Sequence, residues 1–95
     1  MHIKVRKLTD QEVEWAAHQF LYYGAKARDK RPQVMGLAIG DHVRFEDNLY
    51  RLYDWQADEG YPEGAYAILI HNGTLTEGVS GHNLTRVIDL ASVND

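Results

Sequence analysis

The sequence predicts an α+β domain: a short strand, one amphipathic helix, and then a series of short antiparallel strands. Three observations carry this. Residues 2–8 alternate with period two, residues 10–27 hold apolar side chains at helical spacing, and residues 37–90 break into short apolar and aromatic runs parted by Gly, Asn and Asp. At 95 residues the chain is one domain. A chain of this size buries roughly 60–70% of its unfolded surface, enough for one modest core. Within it, residues 1–35 form a strand-plus-helix extension, 36–90 the β region, and 91–95 a fraying tail.

The first element, His2-Ile3-Lys4-Val5-Arg6-Lys7-Leu8, has the pattern of a half-buried strand. Thr9-Asp10-Gln11-Glu12 follows as a capping box, with Thr9 at the N-cap and Glu12 at N3. Asp10, Glu12 and Glu14 suit the positive end of the helix dipole. Val13, Ala16, Ala17, Phe20, Leu21 and Gly24 make one apolar stripe. Trp15 and Tyr22, seven apart, fall on the other side at about 100° per residue, flanked by His18 and Lys26. Basic residues collect at the helix end, and Pro32 stops it.

Residues 28–35 read as a basic, Pro-containing connector. Gly40-Asp41 is a turn, 42–45 a strand, Glu46-Asp47-Asn48 a hairpin turn, and 49–55 an aromatic-rich strand. Residues 56–64 form a polar loop with two Gly and one Pro. The most apolar run, 65–71, is the expected central strand. Asn72-Gly73 signals a type I′ hairpin turn into 74–79. A helical turn over 80–84 and a last strand over 85–90 complete the set.

Residues 37–90 resemble a small SH3-like β-barrel of the KOW/Tudor kind. The resemblance is carried by the opening Ile39-Gly40-Asp41-His42-Val43-Arg44-Phe45, by Tyr50-Arg51-Leu52 on the second strand, and by Gly81-His82-Asn83-Leu84-Thr85-Arg86-Val87. It implies five antiparallel strands closed into a barrel, with the N-terminal strand and helix packed on it. Such barrels bind peptides, methylated side chains or nucleic acids, or serve as accessory domains, so the likeness implies a fold and no single activity.

Composition narrows the function classes. There is no Cys, which excludes disulfides, thiolate metal sites and a Cys nucleophile. No apolar run approaches the ~20 residues of a membrane span, and the N-terminus lacks a signal-peptide core, so a cytoplasmic protein is expected. The net charge of −4 is uneven: residues 1–35 hold seven Lys and Arg against four acids, and 36–95 hold three against ten. The halves suit each other, or complementary partners.

No cofactor, metal or catalytic set stands out. His2, His18, His42, His71 and His82 lack metal-helix spacing. Asp54, Asp58, Glu59 and Glu63 do not follow the EF-hand pattern and read as a solvated acidic loop. Ser80-Gly81-His82 places a hydroxyl near an imidazole without an acid in register. The candidate partner-binding residues are aromatic instead: Trp15, His18, Tyr22 and Lys26 on the outer helix face, and Tyr53, Trp55 and Tyr61 as a barrel platform. Strand alternation puts Tyr53 and Trp55 on one face, which is equally the natural seat of the helix stripe.

The expected function is a non-enzymatic protein-interaction module of adaptor or inhibitor type, in the style of the small accessory proteins of bacteria and phages. It would bind a protein partner, or itself as a dimer, through the aromatic helix face. The alternative is a nucleic-acid-associated module using Lys26, Arg28, Lys30 and Arg31, against which the pI near 5.6 argues. An enzyme or metal protein is the remaining class.

Overall fold

The structure, a computed structural model, describes residues 3–22, 30, 31 and 33–88. Lys26, Arg28, the side chain of Tyr22 and the tail lie outside the described parts. Among the described residues, eight strands and one α-helix follow in the order β1 (Lys4–Lys7), α1 (Asp10–Tyr22), β2 (Gln33–Val34), β3 (Leu37–Ala38), β4 (His42–Phe45), β5 (Asn48–Ala57), β6 (Ala65–His71), β7 (Thr74–Val79) and β8 (Thr85–Arg86), with a 3₁₀ turn (Gly81–Asn83) before the last.

Six strands make one antiparallel sheet in the order β1-β7-β6-β5-β4-β8, with β6 and β5 central. The expected barrel does not close. β1 occupies the outer edge of β7, while β8 pairs with β4 at the far side, so the meander ends in two separate edges. β2 and β3 form a small second sheet, with β2 inside the expected 28–35 connector and β3 at the start of the expected β region. Its turn, Met35-Gly36, has φ of 56° and 77°. The β4–β5 turn (Glu46-Asp47, 49° and 66°) and the β6–β7 turn (Asn72-Gly73, 46° and 78°) share this left-handed pair. Two-residue loops of this hand match the twist of the strands they join.

Tyr53 on β5 and Gly78 on β7 are extra residues that interrupt the pairing with β6 on its two sides. Each bulge adds twist and reverses side-chain alternation along its strand. Two apolar clusters result, one on each face of the sheet. Ala16 of α1 packs with Tyr53 and Leu75, joined by Leu8, Phe20, Ile68 and Ile70. On the opposite face lie Val43, Phe45, Leu52, Ala67, Leu69 and Val79, covered by Leu37 of β3 and by Leu84.

The helix start follows its sequence. Glu12 N–H donates to Thr9 Oγ1 at 3.2 Å, and Thr9 N–H donates to Glu12 Oε1 at 2.9 Å. The guanidinium of Arg6 adds two bonds to Glu12, at 2.7 and 2.6 Å, and a third to Glu77 Oε1 at 3.1 Å. That one side chain ties β1 to α1 and to β7. The Arg6 bonds, with those from Thr9, hold the Glu12 carboxyl down at about 2.

Two expectations for the N-terminal half change. β1 is exposed along its whole length, not half-buried, because it sits at the sheet edge beyond the cover of the helix. The stripe of α1 is also rotated. Its contact line runs through Glu12, Ala16 and Phe20, while Val13 and Ala17 are exposed. The Arg6–Glu12 pair draws the polar residue inward and turns Val13 out.

Candidate interaction surface

The outer face of α1 carries Gln11, Trp15 and His18, all exposed. At about 100° per residue, Trp15 stands a quarter-turn away from Ala16 and His18 farther round still. Trp15 keeps 50% of its surface in solvent, with its indole 6.3 Å from the His18 ring at a 32° tilt. Asp10 and Glu14 lie exposed on the same helix.

The three β-region aromatics do not form a platform. Tyr53 is buried beneath α1 at 8% exposure, and burial raises its hydroxyl pKa. The bulge puts Trp55 on the other face, where it packs against the second cluster and donates from Nε1 to Leu37 O at 3.2 Å. Tyr61 is also buried; its hydroxyl donates to Gly78 O at 2.8 Å, and its ring stands 5.3 Å from Tyr66. These two tyrosines, with Lys4, Asp58 and Glu77, line an open groove of about 330 Å³.

The basic connector divides. Lys30 is exposed, but Arg31 is 6% exposed and donates from Nη1 to Ile39 O, so it faces the protein and not a phosphate backbone. Arg51 behaves likewise. It donates to Gly40 O at 3.0 Å, and its guanidinium lies 4.3 Å from the centre of the Phe20 ring. Burial lowers the pKa of Arg51, and nearby Arg31 adds to the effect. Burial and Arg51 likewise lower the pKa of His42.

The acid missing from the Ser80–His82 pair in the sequence is Glu63, supplied by the β5–β6 loop. Ser80 Oγ donates to Glu63 Oε1 at 2.8 Å, and Gly81 N–H donates to the same oxygen at 2.9 Å. His82 Nδ1 lies 3.1 Å from Glu63 Oε2 and 3.5 Å from Ser80 Oγ. The carboxylate lies nearer the Ser80 hydroxyl than the imidazole does, and one histidine nitrogen faces both partners, an arrangement unlike a Ser–His–acid relay, in which the imidazole bridges hydroxyl and carboxylate. The cluster fastens the loop to the 3₁₀ turn. Burial alone would raise the Glu63 pKa, but the Ser80 and Gly81 bonds hold it below the ordinary carboxyl range.

Two of the remaining loop acids serve backbone amides, and Glu59 is exposed. Asp54 accepts from Trp55 N–H and Asp58 from Gly60 N–H, both at 2.8 Å. Among the described residues, no three carboxylates or imidazoles come together as a metal site, and no helix is long and apolar enough to cross a membrane. Sequence reasoning missed Arg51 as a helix seat and Asp41 as a buried acceptor for Ala38 N–H at 2.9 Å. The Gly40-Asp41 turn was the available signal for Asp41. Comparison with known proteins finds no matching family model, no similar curated protein and no similar solved structure.

Proposed function

We propose that this chain is a non-enzymatic interaction module that binds a protein through the outer face of α1. The observation that carries the reading is Trp15, half in solvent beside His18, on a helix whose own packing line runs through Ala16 and Phe20. Apolar area returned from water contributes about 25 cal/mol per Å². Trp is the side chain most enriched where interfaces concentrate their energy.

The test compares wild-type, Trp15→Ala and His71→Ala proteins as immobilised baits for host-cell lysate, with light scattering on each. The expected result is a protein captured by wild type and His71→Ala and lost from Trp15→Ala, with a native melting curve for all three. A captured set indifferent to Trp15, or a Trp15→Ala variant that no longer folds, removes the reading.

A further inference from the structure

A second surface is independent of α1: the open edge of β1. Among the described residues, no strand lies outside it. Leu8 N–H donates to Gly73 O at 3.0 Å, which continues the β1–β7 register of Lys4↔Glu77 and Arg6↔Leu75. Antiparallel pairs alternate between bonded and non-bonded, so Lys4, Arg6 and Leu8 bond inward, and Val5 and Lys7 present N–H and C=O outward. Lys7 O is met by the Arg6 guanidinium at 3.4 Å. The N–H and C=O of Val5 are left as a matched donor and acceptor.

The side chains specify what fits. Val5 is 65% exposed and Ile3 51%, on one face of the strand. β1 bears three cations and no acid. Arg6 is taken by Glu12 and Glu77, while Lys4 lines the groove that also holds Asp58 and Glu77. Lys7 is exposed. A second copy of β1, paired antiparallel about Val5, would set Lys4 against Arg6 and Ile3 against Lys7. Like charges directly opposite are unfavourable. We infer that the β1 edge accepts an extended partner segment that alternates apolar and acidic residues, added as a seventh strand through Val5.

The test uses the whole chain and fluorescent octapeptides of alternating Val-Glu or Val-Lys. Replacing two attractive cross-strand pairs by repulsive ones is expected to weaken binding about tenfold, so the acidic peptide binds at least that much tighter. Val5→Pro deletes only an outward N–H, so it abolishes binding while the β1–β7 ladder and melting curve persist. Lys4→Glu, which removes no backbone group and leaves one attractive and one repulsive pair with either peptide, removes the preference. Hydrogen exchange of the Val5 amide is fast in the free protein and slowed by the acidic peptide. The inference is overturned if that amide is already protected in the free protein, or becomes protected with rising protein concentration alone. It is also overturned if neither peptide binds, or both bind equally.

Discussion

Tyr53 and Gly78 flank Ile68 from opposite sides, each the inserted residue of a bulge on the strand next to β6. The two insertions share one level of the sheet, so the bend they impose is common to β5 and β7. Tyr53 thereby turns under α1, and Gly78, at φ +87°, takes a left-handed backbone that a side chain resists. Gly78→Ala is expected to cost about 1–2 kcal/mol in urea unfolding. Tyr61→Phe, which removes the donor to Gly78 O, is expected to cost about 1 kcal/mol. A neutral Gly78→Ala would mean that the bulge is not constrained as described.

Gly81 is a site of close approach. A Cβ there would stand 3.0 Å from Met35 Sδ and 3.1 Å from Trp55 Cη2. The methionine can yield, but the indole is held by its bond to Leu37 O. Gly81→Ala is expected to destabilise by about 1–3 kcal/mol through overpacking. Near-UV circular dichroism should register the shifted Trp55.

Glu63, its side chain 4% exposed, joins two segments through partly buried bonds, whereas His82 meets it from solvent. Glu63→Ala leaves the Ser80 hydroxyl and Gly81 N–H without that acceptor, and should cost about 1–3 kcal/mol. His82→Ala should cost no more than about 1 kcal/mol, as exposed ion pairs do. Equal losses from the two, measured by thermal unfolding, would contradict this ranking.

The Arg6–Glu12 pair predicts acid sensitivity. The Glu12 carboxyl is held at about 2 in the folded chain, below its ordinary 4.5. A depressed carboxyl stabilises the fold fully above its ordinary value, and that contribution fades as pH falls from 4.5 toward about 2. Arg6→Ala should move the Glu12 titration upward, read from its side-chain carbon by NMR, and flatten the acid-side slope of stability.

Local pattern determined much of this protein. The capping box at Thr9 and Glu12, the strand at Ala65–His71 and the Asn72-Gly73 turn were legible because each depends on residues close in sequence. The exposure of Trp15 followed from helical spacing in the same way. Tertiary structure decided the rest. The face of Trp55 depended on a bulge paired across β6, and the open sheet on β1 taking the edge of β7. The inward turn of Arg31 and the meeting of Glu63 with Ser80 required groups eight and seventeen residues apart to find each other. Periodicity reports how a segment divides between water and interior, but neighbours distant in the chain choose which side of it is covered.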